Sequence, residues 1–515
     1  MKRLLLAGST LFLLMAGVFA QTPYRVYTSP KLPQRDALER MNLVMAWNAR
    51  VRVDGNRDGV FSVQLIPGDK QNQLVVQTNK GAVYLYDADN GDLLWKTEVG
   101  VPFWTPQPAA FNSQSIIVTR RNMLYVLDRK TGAQRVFTYE PEIRRATFGY
   151  ELAASPNASL VADEDFVYVP MGDRLNAIFI PDFAAIERTR KSVEAAQKAG
   201  KPILEDKRNA VDEPLVPTGP DSPQPEFYFG WRFANEIMTS PPLIYGEQLS
   251  MVTTDGVLTS INRHQRGDRH ELFEFEAHGK VLGGAGQYRN IAYLASSDFN
   301  LYAINMNGGH LVWRYVSGAP LVRKPEVNDR DIFISPEGNG LRRIDRETGK
   351  EIWTNRDTIS FVAANHTNVY ALDRIGKFYV LDARRGTTLA WYDLSNWKIA
   401  VANEWTDRIY LAAADGQVLC LRHRDLTKPL VMKTEEAPKV IEKKIEKKKE
   451  EKKDDEKKDD EKKDDKDKKD DKEKDKDKQA LFRPAALPIL PRMARIEARR
   501  HDGLALNEHL AWTKR

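Results

Sequence analysis

A short apolar strand recurs eight times along this chain, and the recurrence limits the possible folds more than any other feature. Turns that contain glycine flank most copies, and they supply the positive φ angles of tight hairpins. Each copy with its flanking turns predicts a small antiparallel sheet, repeated at a period of about 40 residues. The eight strands are Val83–Asp87, Leu124–Asp128, Leu175–Phe179, Leu258–Asn262, Leu301–Asn305, Leu341–Asp345, Phe378–Asp382 and Val418–Arg422.

The repeat predicts an all-β fold, an eight-bladed β-propeller built from four-stranded antiparallel blades. Seven blades are the alternative count, because the third copy is the weakest. A ring of blades must close, since an open ring would leave an unpaired sheet edge. Residues 43–51 precede the first complete unit, and the last unit lacks an outer strand. We therefore expect the N-terminal strand to complete the last blade.

The turn after the repeated strand carries a motif that ends in tryptophan. The segments Ala88–Trp95 (ADNGDLLW) and Asp345–Trp353 (DRETGKEIW) resemble the PQQ-type, or quinoprotein, propeller repeat, and the resemblance covers residues 42–424. It implies that the blade tryptophans are structural and pack between neighbouring sheets, where a large ring buries much apolar area. These tryptophans are Trp95, Trp313, Trp353 and Trp391.

The family that the repeat resembles has a catalytic and a non-catalytic branch. The first contains alcohol and sugar dehydrogenases that use PQQ and calcium. The second contains propellers such as the outer-membrane assembly lipoprotein BamB, which present loops to partner proteins. An alcohol dehydrogenase of this family would need a vicinal cysteine pair, and this chain has one cysteine, Cys420. Sugar dehydrogenases lack that pair, so PQQ and calcium are the alternative to a protein without cofactors.

No sequence motif points to catalytic residues. The mature part has no HExxH, GxSxG or Walker sequence. Asp54, Asn56 and Asp58 match the start of a calcium loop, but its twelfth position is Leu65, where a bidentate glutamate is needed. A hairpin turn is the favoured interpretation, and these three residues are weak candidates for a metal site. An enzyme is therefore the less favoured prediction.

An insertion at residues 184–230, predicted to be helical and then proline-rich, separates the third and fourth copies of the repeat. A loop of this length commonly has a function, and its end is rich in aromatic residues of the kind that protein interfaces favour. The same residues also fit a lid over one face of the propeller. The predicted partner-binding residues are Phe227, Tyr228, Phe229, Trp231, Arg232 and Phe233.

The two ends of the chain differ from the repeat in composition. Residues 1–20 have the pattern of a signal peptide with a predicted cut after Ala20, and residues 21–41 lead into the propeller. Of the 40 residues 439–478, 37 are charged, so residues 425–478 predict a disordered linker before a docking segment at 479–515. The formal net charge of +6 arises from these ends. It gives no argument for nucleic-acid binding.

These features together predict an exported bacterial protein, periplasmic or extracellular, that is monomeric and has no membrane-spanning segment in the mature chain. The predicted function is a non-catalytic scaffold that binds envelope or secreted proteins through its propeller loops. A PQQ- and calcium-dependent oxidoreductase is the first alternative. A carbohydrate-binding propeller that uses the aromatic residues of the insertion is the second.

Overall fold

The computed structural model describes most of the chain between residues 29 and 434. The predicted signal peptide, the insertion up to residue 228 and the charged run with its docking segment lie outside the described residues. The described residues form one short helix, eight four-stranded antiparallel sheets and a separate two-stranded hairpin. The described ranges are 29–53, 57–68, 71–135, 138–140, 145–147, 149–180, 229–232, 237–238, 240–263 and 271–434.

The chain enters the fold through a helix and one strand, and then forms the blades in order. The entry elements are α1 (Arg35–Arg40) and β1 (Leu43–Arg50). Blade 1 consists of β2 (Val60–Ile66), β3 (Gln73–Thr78), β4 (Ala82–Asp87) and β5 (Leu93–Glu98). Blade 2 consists of β6 (Ala110–Phe111), β7 (Ser115–Arg120), β8 (Met123–Asp128) and β11 (Tyr150–Glu151). The hairpin of β9 (Thr138–Glu140) and β10 (Arg145–Thr147) lies between β8 and β11 along the chain.

The next three blades repeat the same order of four strands. Blade 3 consists of β12 (Val161–Ala162), β13 (Phe166–Met171), β14 (Arg174–Phe179) and β15 (Phe229–Arg232). Blade 4 consists of β16 (Leu243–Tyr245), β17 (Gln248–Val252), β18 (Val257–Asn262) and β19 (Glu271–Glu276). Blade 5 consists of β20 (Ala285–Tyr288), β21 (Ile291–Ala295), β22 (Asn300–Asn305) and β23 (His310–Val316).

The last three blades complete the ring. Blade 6 consists of β24 (Glu326–Val327), β25 (Asp331–Ile334), β26 (Leu341–Asp345) and β27 (Glu351–Asn355), and blade 7 of β28 (Ser360–Ala364), β29 (Asn368–Leu372), β30 (Phe378–Asp382) and β31 (Thr388–Tyr392). Blade 8 consists of β32 (Ile399–Ala400), β33 (Ile409–Ala412), β34 (Gln417–His423) and β1.

The ring closes through the first strand of the chain. β1 pairs antiparallel with β34, with Leu43 opposite His423 and Arg50 opposite Gln417. The prediction of eight blades is thus confirmed over the count of seven, and the N-terminal strand completes the last blade as expected. Because the two ends of the propeller share one sheet, opening the ring requires breaking the pairing of β1 with β34.

The up-and-down order of the strands divides the loops between two faces. Turns between strands 1 and 2 and between strands 3 and 4 of each blade lie on one face, which we call the hairpin face. Turns between strands 2 and 3, and the connections between blades, lie on the other, which we call the connection face. The first strands of neighbouring blades contact each other, as β20 and β24 do, so they line the inner wall of the ring.

The seams between blades are held by indole rings that pack on glycines of the next blade. Trp353 of blade 6 packs on Gly386, and its Nε1 donates a hydrogen bond to the Ala383 carbonyl at 2.8 Å. A Cβ atom at Gly386 would lie 2.5 Å from that ring, and its φ of +70° also favours glycine. The same contact joins Trp95 to Gly132, Trp313 to Gly349 and, at the closing seam, Trp47 to Gly91.

Trp391 does not dock in this way. The docking tryptophans of β5, β23 and β27 follow their own turn glycine by four residues, whereas Trp391 follows Gly386 by five. The fourth residue is Ala390, which pairs with Val380, and Trp391 pairs with Tyr379. Successive residues of a strand point to opposite faces, so the one-residue shift turns the indole outward, where it is 57% exposed.

A segment after the last strand packs back onto the hairpin face between blades 6 and 8. We call residues 428–434 the C-terminal strap; the sequence placed them in the predicted linker. Val431 forms a β-bridge with Thr406, and Met432 is buried in an apolar cluster with Phe333 and Phe361. The strap therefore extends the packed part of the chain to Thr434.

Four ionisable side chains lie together beneath this strap. The Glu404 carboxylate accepts hydrogen bonds from Lys433 Nζ at 2.8 Å, from Lys324 Nζ at 3.1 Å and from the Val327 backbone N–H at 3.1 Å. Lys324 also contacts Glu326 at 3.2 Å. Burial alone would raise the pKa of Glu404, but the two lysines hold it well below its usual value. Glu404 therefore remains ionised and links the strap to blade 6.

The free energy of unfolding is expected to decrease as the pH rises from about 4.5 to about 8, because the Glu326 carboxyl group titrates over this range. Burial raises the pKa of Glu326 to about 8; Lys324 opposes this shift and the Glu404 carboxylate adds to it. The folded state then holds a proton that the unfolded chain has lost, so the stabilisation is complete below pH 4.5 and disappears as the pH rises through 8. We expect a decrease of about 1–2 kcal/mol, because solvent near the partly exposed Lys324 screens the site.

Chemical unfolding at pH 5 and pH 8.5 measures this effect. Glu326→Gln has no carboxylate to titrate, so it should lose less stability than the native chain over the same interval. Equal losses in the two proteins would show that Glu326 does not carry the pH dependence.

Candidate protein-interaction surface

Large apolar side chains stand exposed on the connection face. The exposed fraction of these residues runs from 45% for Phe299 to 62% for Ile375. They come from four connections or strand ends between blades and from two turns, and they are Val101, Phe103, Ile237, Leu282, Phe299, Val316 and Ile375.

The connection between blades 1 and 2 is held by a buried arginine. The guanidinium of Arg120 is fully buried and donates hydrogen bonds to the carbonyls of Thr78, at 2.6 Å, and Trp104, at 3.2 Å. The backbone N–H of Phe103 donates to the Asn79 carbonyl at 2.9 Å. These bonds fix the backbone of the loop while the Phe103 side chain stays 53% exposed. The loop is therefore ordered before any partner arrives.

Phe299 occupies a position that is glycine in other blades. In the turn between strands 2 and 3, blades 1, 4, 7 and 8 have Gly81, Gly256, Gly376 and Gly416, each with a positive φ. Blade 5 has Phe299 there, with a φ of +72°. A bulky side chain in this conformation costs on the order of 1 kcal/mol, and such strain is concentrated at functional sites. The exposed ring of Phe299 thus points to a role outside folding.

Hydrogen bonds hold the strained turn of Phe299 in place. Asp298 accepts a hydrogen bond from the Tyr302 hydroxyl, and its Oδ1 accepts one from the Asn300 N–H at 3.1 Å. Burial alone would raise the pKa of Asp298, but hydrogen bonds from Tyr302, Asn300 and Ser296 hold it below its usual value. Asp298 therefore stays ionised and keeps both bonds at neutral pH.

Blade 7 adds a third exposed aromatic residue, Trp391, at the edge of this face. In its turn between strands 2 and 3, Asp373 Oδ1 accepts hydrogen bonds from the Ile375 and Lys377 N–H groups, each at 2.9 Å. Lys377 Nζ lies 4.5 Å from the ring centroid of Trp391. Trp391, near the end of β31 towards the connection face, and Ile375 are both more than half exposed. The surface thus carries apolar groups on blades 1, 5 and 7.

The predicted partner-binding residues fall partly within a blade. Phe229, Trp231 and Arg232 belong to β15, the outer strand of blade 3, and Trp231 pairs with Leu175. Their backbone is therefore part of a sheet and not of a free loop. Phe227, Tyr228 and Phe233 lie outside the described residues, as does most of the insertion.

The weak metal candidates are only partly described. Asp58 is 4% exposed, and its Oδ1 accepts a hydrogen bond from the Lys80 N–H at 2.9 Å. Asp54 and Asn56 lie outside the described residues. Within the described part of the chain, no group of three or more His, Cys, Asp or Glu side chains is arranged to hold a metal ion.

The fold and the repeat agree with a known family. The family model described as "Outer membrane protein assembly factor BamB" matches residues 44–205 and 261–424, which together are more than half of the chain. The chain belongs to this family. The matched ranges contain the repeated strands of all eight blades except the first few residues of β18.

A solved BamB has the same fold at low sequence identity. The crystal structure of BamB from Moraxella catarrhalis aligns with a TM-score of 0.51 and 14% identity, over 74% of this chain and 98% of that one. A tetrathionate hydrolase from Acidithiobacillus ferrooxidans is 26% identical over 127 residues, which is 23% of this chain and 24% of the hydrolase. The chain thus spans about a quarter of that curated relative. In the residues that the structure covers, no helix is long and apolar enough to cross a membrane.

Proposed function

We propose that this chain is a protein-binding scaffold of the cell envelope and presents its connection face to an envelope or secreted protein. One observation carries the proposal: exposed apolar side chains stand on turns and loops that hydrogen bonds already hold rigid. A rigid surface loses little conformational entropy on binding, so the contact area contributes more fully to affinity. Aromatic side chains such as those of Phe103 and Phe299 are enriched at the cores of protein interfaces.

Membership of the BamB family supports the same proposal. The family is described as an outer membrane protein assembly factor, and we propose by likeness that this chain assists the assembly of envelope proteins. Export with a cut after Ala20, a periplasmic or extracellular location and a monomeric state belong to the proposal. Binding of PQQ and calcium, and binding of carbohydrate, stay predictions from the sequence.

A photo-reactive phenylalanine placed on the connection face is expected to capture a partner in the cell envelope. We would introduce p-benzoylphenylalanine separately at Phe103 and Ile375, irradiate cells that naturally make the protein, and detect cross-linked products of the full chain. Tyr245 is the matched control, because it is 37% exposed on the opposite, hairpin face. We expect a discrete product at positions 103 and 375 and little at 245.

An excess of unmodified mature protein should suppress the product in isolated envelopes, since a specific site is saturable. The proposal is wrong if no position of the connection face gives a product, or if positions 103 and 375 give the same products as position 245.

A further inference from the structure

A cavity opens between blades 5 and 6 beside the strained phenylalanine. It has a volume of about 500 Å³. Ser317 contributes to it just after β23, Asn339 from a turn of blade 6, and Glu351 and Arg356 from β27 and the residue that follows it. Ser317, Asn339 and Arg356 are connection-face positions. The cavity therefore joins the surface that carries Phe299 and Val316.

The cavity holds more positive than negative charge. Its ionisable residues are Arg342, Arg356 and Glu351, with a formal sum of +1. Arg342 Nη1 donates to the Tyr315 hydroxyl at 2.6 Å and lies 3.4 Å from Glu351 Oε2. Arg342 Nε is buried and donates to no atom of the described residues. A buried donor without an acceptor is unfavourable unless a ligand or water completes it.

Glu351 is already engaged with Arg342, which leaves Arg356 without a carboxylate partner among the described residues. It accepts hydrogen bonds from the Tyr315 hydroxyl and, at 2.5 Å, from Thr354 Oγ1. Burial opposes the shift, but bonds from Thr354 and Tyr315 and the charge of Arg342 hold the pKa of Glu351 below its usual value. It therefore stays ionised and balances Arg342. The exposed guanidinium of Arg356 remains to bind an anion, and a carboxylate fits its planar fork.

An apolar shelf adjoins the charged cavity. The carbonyl of Phe299 accepts hydrogen bonds from the N–H of Ser317 at 2.7 Å and from its Oγ at 2.9 Å. This places the strained residue directly at the edge of the cavity. Val316, the last residue of β23, is 61% exposed. Phe299 and Val316 can thus cover an apolar side chain while the cavity holds a neighbouring acidic one.

We propose that the cavity between blades 5 and 6 binds a carboxylate side chain of a partner protein, with an adjacent apolar side chain of that partner on Phe299 and Val316. The inference rests on the proposed scaffold function and gives it a location. A small free acid would leave the apolar shelf uncovered, so a protein segment with both groups is the better match. Charge complementarity favours such a partner over the segment 479–515 of this chain, which is basic.

The test places p-benzoylphenylalanine at Val316 in the full chain and measures the yield of the cross-linked product in the native envelope. Arg356→Glu should lower the yield about tenfold, because it replaces an attraction with a repulsion. Phe299→Gly should also lower it about tenfold, although glycine suits the backbone and should not reduce the melting temperature. Arg314→Glu is the matched control, because Arg314 is exposed on β23, the strand that ends at Val316, but does not line the cavity. This variant should give the same yield of cross-linked product as the native sequence.

A charge exchange then identifies the carboxylate. Mass spectrometry of the product locates the partner peptide, and the acidic residue nearest the cross-link is changed to lysine. The partner variant alone should lose the product, and its combination with Arg356→Glu should restore it. An unchanged yield in Arg356→Glu, a failed restoration, or a product that joins Val316 to residues 479–515 would overturn the proposal.

Results at the other positions separate this inference from the proposed function. A product at position 103 without one at 316 overturns the cavity site and leaves the scaffold standing. The absence of products at 103, 316 and 375 overturns both.

Discussion

Replacing Trp353 with alanine is expected to lower the free energy of unfolding by about 3–5 kcal/mol, as for other buried large-to-small substitutions. The ring is 6% exposed and is packed between Gly386 of the next blade and Phe333 of its own blade. The change would leave a cavity at a seam that the glycine cannot fill, and the Ala383 carbonyl would lose its indole donor. Thermal and chemical unfolding of the mature protein measure the loss.

Trp391→Ala is the matched control for this prediction. It removes the same side chain from the corresponding strand of the next blade, but the indole is 57% exposed and packs on no glycine in the described part of the chain. We expect a change of less than about 0.5 kcal/mol, as for most surface substitutions. Similar losses for both variants would mean that packing on the turn glycine does not stabilise the seams.

The difference between these two tryptophans shows what the sequence could predict and where it misled. The recurrence of apolar strands and glycine turns was sufficient for the fold class and the count of eight blades. The repeat predicted that every tryptophan of an outer strand, including Trp391, packs between neighbouring sheets, because the residue types alone do not reveal a shift of one residue. The spacing from Gly386 to Trp391 contained that information. Trp47 was missed because β1 is separated in sequence from the blade that it completes.

The candidate surface was harder to predict, for a different reason. Exposure of Phe103 and Phe299 depends on where loops of distant blades lie, and no periodicity in one sequence encodes that. Only Phe299 left a readable sign: an alignment of the eight turns places it in the column of Gly81, Gly256, Gly376 and Gly416. The sequence favoured the aromatic residues after the insertion instead, and the structure pairs the backbone of Phe229 and Trp231 within blade 3.

The strap shows the same limit at the other end of the chain. The predicted linker included residues 428–434, although Leu430, Val431 and Met432 form a short apolar run there. Met432 nevertheless fills an apolar cluster, and Lys433 meets a carboxylate that comes from a loop of blade 8. Neither contact is visible in the sequence, because both partners are distant along the chain.

Glu404→Gln is expected to lower the free energy of unfolding by about 3–5 kcal/mol, the usual result of removing one partner from a buried ion pair. The Lys433 and Glu404 side chains are 5% and 9% exposed, so the lysine would keep its charge in a poorly hydrated place without the carboxylate that balances it. Lys324 would also lose its ion pair with the Glu404 carboxylate, in which Nζ and Oε1 are 3.1 Å apart. We also expect the strap to become more sensitive to limited proteolysis, because Glu404 links it to blade 6.

Two further variants distinguish this effect from a general loss of charge. Glu98→Gln removes a carboxylate from an exposed ion pair, in which the side chain of Lys96 is 41% exposed and that of Glu98 is 72% exposed. This variant should change the free energy of unfolding by less than about 1 kcal/mol. Lys433→Met removes the buried ammonium, so adding it to Glu404→Gln should cost less than the sum of the two single changes. A strictly additive double variant, with no increase in strap proteolysis, would show that Lys433 and Glu404 do not act as a pair. The strap would then be held by the burial of Met432 and its backbone hydrogen bonds.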